Sequence, residues 1–197
     1  MTRVVAGALG GRRLRVPGGR STRPTSDRVR EALFSTLADR VADARVLDLY
    51  AGSGALGIEA LSRGAAHATF VEQDPRAVGV LRQNLASLGL EANVHTMDVS
   101  RFVRDVPGTD AAPYDLVLCD PPYASPVQAI ATALVALARH GRLARDAMMV
   151  VERPRHGAAF TVADDLLAVM DARTYGDTVL YYLATRYDEA RGTDLDR

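Results

Sequence analysis

The sequence predicts an α/β fold in which a mostly parallel sheet is closed at one edge by an antiparallel hairpin. Three observations lead to it. Short apolar runs alternate with amphipathic stretches from Arg45 onward, the pattern of repeated strand–helix units. A glycine-rich turn follows the first run, and near the end two strand-like runs flank the turn-like Tyr175-Gly176-Asp177. At 197 residues the chain is long enough for one substantial core and short for two.

The elements follow in order. Arg3 to Ala8 and Arg12 to Val16 surround Gly10-Gly11 and predict a small basic hairpin, after which Pro17-Gly18-Gly19 breaks the chain. In Arg23-Pro24-Thr25-Ser26 a Ser or Thr after Pro suits a helix cap, and Val29, Leu33, Leu37 and Val41 then recur at helical spacing. Strands are expected at Arg45 to Tyr50, Ala68 to Glu72, Ala92 to Met97, Leu116 to Cys119 and Ala147 to Glu152. Helices are expected at Ala55 to Ser62, Pro75 to Leu88, Arg101 to Val106 and Pro126 to Arg139. Val169 to Thr174 and Thr178 to Arg186 form the edge hairpin. The chain thus divides into a basic extension over residues 1–22, a main domain over 23–187 and a polar tail over 188–197.

Net charge is zero, but residues 1–30 hold eight Arg against Asp27 alone, so a charge of +7 at one end faces −7 elsewhere. All 24 basic residues are Arg, which reads as compositional bias. The only cysteine, Cys119, excludes an intrachain disulfide. No apolar stretch is long enough for a membrane span and no export signal opens the chain, so a cytoplasmic protein without membrane partners is expected. His67, His95, His140 and His156 lack ligand-like spacing, and no metal is expected.

Two motifs carry chemistry. Val46 to Gly57 reads as a strand, a glycine turn and a helix, with Gly52, Gly54 and Gly57 in G-x-G-x-x-G spacing and Glu72 ending the next strand, where an acid meets ribose hydroxyls. A nicotinamide dinucleotide would fit this pattern. Asp48, four residues before Gly52, disfavours a pyrophosphate and favours a cationic ligand such as S-adenosylmethionine. Asp98, after the third strand, suits either an adenine amine or the cap of the next helix.

The second motif is Asp120-Pro121-Pro122-Tyr123 at the carboxyl end of the fourth strand. In a doubly wound sheet ordered 3-2-1-4-5 it faces the glycine loop across the switch point, where ligands bind. An exocyclic base amine is a poor nucleophile and needs acceptors for its hydrogens. Stiff proline carbonyls and the Asp120 carboxylate would supply them, with Tyr123 as a stacking face. Attack on cytosine by Cys119 is disfavoured, because a cysteine inside an apolar strand is more often a buried hydrophobe.

These residues, together with Arg23-Pro24-Thr25 and Arg30-Glu31-Ala32-Leu33-Phe34, resemble the bacterial RsmD-type methyltransferases, which modify the guanine N2 amine of 16S ribosomal RNA. The resemblance implies a Rossmann-like, seven-stranded class I methyltransferase fold using S-adenosylmethionine. It implies cofactor contacts at Asp48, at the Gly52-Ser53-Gly54 loop and at Glu72, and base contacts at Asp120 and Tyr123; Ala51, Gln73 and Asp98 are expected to complete the cofactor site, and Pro121 and Pro122 the catalytic segment with Asp120 and Tyr123. RNA contacts are expected at Arg3, Arg12, Arg13, Arg15, Arg20, Arg23 and Thr25, with the RNA or the assembling small subunit as partner and the enzyme a monomer. A DNA base methyltransferase, a nicotinamide oxidoreductase and a non-catalytic RNA-binding assembly factor remain alternatives at this stage.

Overall fold

The computed structural model of the protein describes residues 2–17, 26–105 and 112–186. At the amino end β1 (Thr2–Arg3) pairs antiparallel with β2 (Arg13–Leu14). This hairpin is shorter than its sequence predicts, because the segment between the strands finds partners elsewhere. The amides of Val5 and Ala6 donate to the Glu59 carboxylate at 2.6 and 3.0 Å, and Ala8 N donates to Ser62 O at 2.7 Å. Side chains and backbone of a neighbouring helix thus replace the ladder that Arg3 to Ala8 would have made. Gly7 permits the approach: its φ is +80°, and a Cβ there would sit 1.9 Å from Ser62 O.

Helix α1 (Asp27–Leu37) begins at Ser26, whose hydroxyl accepts from Val29 N at 3.3 Å. It gives way to a 3-10 turn at Ala38–Arg40, so Val41 joins the core from beyond the helix. The alternation then follows: β3 (Arg45–Leu49), α2 (Ala55–Ser62), β4 (His67–Glu72), α3 (Pro75–Leu88), β5 (Asn93–Thr96), α4 (Val99–Asp105), β6 (Tyr114–Cys119), α5 (Val127–Arg139), β7 (Leu143–Pro154), β8 (Leu167–Tyr175) and β9 (Thr178–Thr185). α4 starts two residues before the expected Arg101, because Asp98 caps it through the amides of Ser100 and Arg101. β7 outruns its apolar run because Leu143 pairs with Tyr114 of β6 at its start and Arg153 and Pro154 pair with β9 at its end, and β8 because β9 pairs with it from Leu167 to Tyr175.

The seven-stranded sheet has the order β5-β4-β3-β6-β7-β9-β8, parallel through β7 and antiparallel beyond it. The first five strands follow the 3-2-1-4-5 order expected of a doubly wound sheet. Gly176 closes the β8–β9 hairpin at φ +60°. Both faces are covered, so the central strands are apolar on both sides. Leu47, Val117 and Val151 face α4 and α5, while Val46, Leu116 and Val150 face α1 and α2. Val4 and Leu14 of the hairpin are buried with Ile58, Phe70 and Leu81. No helix among the described residues is long and apolar enough to cross a membrane.

Candidate active site

The chain leaves β3 through left-handed backbone, with φ +59° at Tyr50, +55° at Gly52 and +83° at Gly54. The three motif glycines do different work. A Cβ on Gly54 would lie 2.3 Å from Leu81 Cδ1, and one on Gly57 would lie 2.3 Å from Phe70 Cε1, whereas one on Gly52 would meet nothing within 4 Å. Gly54 and Gly57 therefore let α2 pack close to the sheet. Gly52 alone faces the open space that a ligand would fill.

Asp48 lies beneath this loop and is 1% exposed. Its Oδ2 accepts from Gly57 N at 2.8 Å, so it braces the first turn of α2. Burial pushes its pKa up to about 8; the Gly57 hydrogen bond opposes that rise, and the neighbouring carboxylates Asp120 and Glu72 add to it. Glu72, at the end of β4, accepts from Gly52 N and Asp74 N, each at 2.8 Å, while Ala51 N donates to Val71 O at 3.1 Å. Loop and strand are thereby stitched together, with Gln73 exposed beside them. Of the two roles open to Asp98, the structure displays the helix cap. The Ser100 hydroxyl and the capped amides hold its carboxyl below the usual range.

Across the switch point, Cys119 pairs with Leu49, which places Asp120 beside Tyr50 at the start of the loop. Pro121 is buried, while Pro122 and Tyr123 are exposed, Tyr123 at 51%. The segment is held by a residue that no motif pointed to. Arg153, 6% exposed on β7, reaches the carbonyls of Pro122 at 3.5 Å, Tyr123 at 3.2 Å and Ser125 at 3.0 Å. Pro122 O also accepts from Ser125 N at 2.8 Å. Of the carbonyl oxygens that the segment was expected to offer, that of Pro122 therefore already has partners within the protein, because a buried guanidinium needs acceptors. The one trace of this in the sequence is the charged pair Glu152-Arg153 closing the apolar run Met148 to Val151. Cys119 is 2% exposed, and burial, with Asp120 and Asp48 adding to it, raises its thiol far above the usual range, which removes it as a nucleophile.

The basic amino end sits against the same loop. Asn84 of α3, 1% exposed, accepts from Arg15 N at 2.9 Å and donates to Arg15 O at 2.9 Å and to Ser53 O at 3.0 Å. One side chain therefore joins the hairpin to the glycine turn. Arg3, Arg12, Arg13 and Arg15 are exposed; Arg3 pairs with Asp27, Arg12 donates to Ser87 O and Arg15 to Gln83 Oε1. Arg30, by contrast, is 0% exposed and bonds Arg3 O and Asp27, so its charge serves the fold. Arg20, Arg23 and Thr25 lie outside the described residues.

Residues 2–184 match the protein family described as Conserved hypothetical protein 95. The chain belongs to that family, the RsmD-type methyltransferases. It is 42% identical over 151 residues to Ribosomal RNA small subunit methyltransferase D of Escherichia coli, covering 76% of this chain and 73% of that protein. YlbH of Bacillus subtilis is 35% identical over 178 residues, 89% of this chain and 95% of its own. The solved structure of Escherichia coli yhhF superposes with a TM-score of 0.80 at 36% identity, over 93% of this chain and 97% of that one. RsmD-type likeness therefore spans the amino-terminal hairpin, the glycine loop, the tetrapeptide and the β8–β9 edge together.

Proposed function

We propose that this chain transfers a methyl group from S-adenosylmethionine to the exocyclic N2 amine of a guanine in 16S ribosomal RNA, acting as a monomer on the assembling small subunit in the cytoplasm. The observation that carries this reading is the Asp120-Pro121-Pro122-Tyr123 segment, clamped by Arg153 at the switch point beside the open glycine loop. The resemblance to Ribosomal RNA small subunit methyltransferase D supports RNA over DNA as the substrate, and methyl transfer over nicotinamide chemistry.

The residues fit the cofactor. Open space at Gly52 lets backbone approach a ligand, with Ala51, Ser53 and Gly54 shaping the turn. Glu72 is oriented by two amides and retains lone pairs for ribose hydroxyls. Gln73 and Asp98 would hold the adenine end. Asp48 braces the loop and, when ionised, favours a cation above it. When bound, S-adenosylmethionine supplies an electrophilic methyl group on a sulfonium.

The protein's part is to present the amine. Asp120 accepts a hydrogen from the base, which localises the nitrogen lone pair, while Pro121 and Pro122 keep the segment stiff. Tyr123 offers its exposed ring to the displaced base, a contact worth about 1–3 kcal/mol. Once the amine has been methylated, Asp120 would take the surplus N2 proton and pass it on to water. Exposed arginines of the hairpin, with Arg20, Arg23 and Thr25, grip RNA phosphates.

Nucleoside mass spectrometry of ribosomal RNA from cells with and without the gene tests the product, with N2-methylguanosine expected to disappear from 16S RNA. Purified Asp120→Ala enzyme should bind the cofactor normally and lose at least about 100-fold in kcat. Transfer undiminished in that variant, or label appearing on duplex DNA in preference to small subunits, overturns the reading.

A further inference from the structure

A cavity of about 470 Å³ opens beside the tetrapeptide, between the start of α1, Tyr123 and the β8–β9 turn. Its volume lies in the range of small-ligand sites and admits a purine nucleoside. Among the described residues, three charged side chains line it: Arg28 and Asp177, both exposed, and Glu152, which is 7% exposed. Strand alternation explains how Glu152 arrives there. Val150 faces α1 and Val151 faces α5, so Glu152 continues the first face while Arg153 continues the second and clamps the loop. Cys119 registers with Val151, which ends Asp120 and Glu152 at one level on adjacent strands.

We propose that Glu152 selects guanine as the base to be methylated, accepting its N1–H and one of its N2 hydrogens. This rests on the reading above and names the specificity-determining residue of the same site. Guanine's pairing edge carries two adjacent donors, N1–H and N2–H, which match the two oxygens of a carboxylate. Adenine and cytosine place a ring-nitrogen lone pair at the corresponding position and meet the carboxylate with repulsion. N2 bears two hydrogens, so Glu152 holds the one beside N1 and Asp120 the other. Both acceptors lie near the base plane, and the nitrogen lone pair is left directed out of it. A carboxylate facing the pairing edge meets a base that lacks the matching donors with lone-pair repulsion in a site of low solvent access, and such mismatches are rejected strongly. Arg28, at the edge of the cavity, suits the phosphate of the displaced nucleotide.

The test compares small subunits reconstituted around RNA carrying guanine or 2,6-diaminopurine at the target nucleotide. Both bases offer an N2 amine, but the second has an acceptor at N1. Wild-type enzyme should favour guanine by at least about 100-fold in kcat/KM. Glu152→Gln presents one donor and one acceptor, so that preference should collapse to within about tenfold, with S-adenosylmethionine affinity by calorimetry unchanged. Wild-type enzyme that methylates both bases within tenfold overturns the assignment, as does a Glu152→Gln enzyme that keeps the wild-type ratio. Failure of wild-type enzyme to methylate guanine at all overturns the underlying reading, and the assignment with it.

Discussion

Replacing Arg153 by Met separates the stability of this fold from the placement of its reactive loop. The guanidinium makes two well-formed bonds, at 3.2 and 3.0 Å, to Tyr123 O and Ser125 O, and one at the 3.5 Å limit to Pro122 O. Bonds from a charged donor contribute about 1.5–3 kcal/mol each, so the two good ones offer roughly 3–6 kcal/mol. Opposing that is the cost of burying the charge, which an apolar side chain of similar volume avoids, and the buried Nε has no partner among the described residues. Tyr123 is exposed, so its carbonyl has access to water once released. The net loss should therefore be modest, about 1–3 kcal/mol, or a fall of about 2–4 °C in Tm for each kcal/mol in a chain of this size. The catalytic loss should be larger, because a loop displaced by about 1 Å costs roughly 100-fold in rate. Thermal melts and single-turnover methyl transfer on the same preparations check this. A variant that melts lower as expected but retains at least a third of wild-type kcat/KM would refute a positioning role for Arg153.

Three further outcomes follow from the same geometry. Asp48 holds its proton up to about pH 8 in the folded chain, so its contribution to stability is complete below about pH 4 and is lost as pH rises through 8; Asp48→Asn should melt with a visibly flatter pH dependence across that window, and an unchanged slope would contradict it. Gly57→Ala should destabilise by about 1–3 kcal/mol through the clash with the Phe70 ring despite better helix propensity while leaving cofactor affinity intact, whereas Gly52→Ala, which meets no atom but must hold φ +55°, should destabilise by about 1–2 kcal/mol and weaken cofactor binding as well; equal effects of the two substitutions on cofactor binding would refute the division of roles. Replacing Arg12, Arg13 and Arg15 by Ala should reduce the salt dependence of RNA binding by up to about three phosphate contacts while calorimetry shows cofactor affinity intact; parallel loss of both would mean that the hairpin serves only the fold.

The parallel core was legible because its signals are local. Apolar runs such as Leu116 to Cys119 must be strands covered on both faces, and Asp74 with Pro75 and Gly89 mark the start and stop of α3 in the chain itself. The amino-terminal hairpin was less legible, because Val5 and Ala6 bond to Glu59, more than fifty residues away. No alternation within Arg3 to Val16 records that partner.

For the site, the sequence by itself determined which residue types stand at the carboxyl ends of β3, β4 and β6: Asp48 and the glycines, Glu72, and Asp120 to Tyr123. Strand order followed from the doubly wound pattern, so their convergence was readable too. Only the tertiary structure decided how the charges are used. Asp48 turns under the loop to Gly57, Arg153 takes the carbonyls of the tetrapeptide, and Glu152 lines the cavity beside it. The physical reason is that a buried charge is directed by whatever acceptor or donor the packing brings within about 3 Å, and that neighbour is seldom near in sequence.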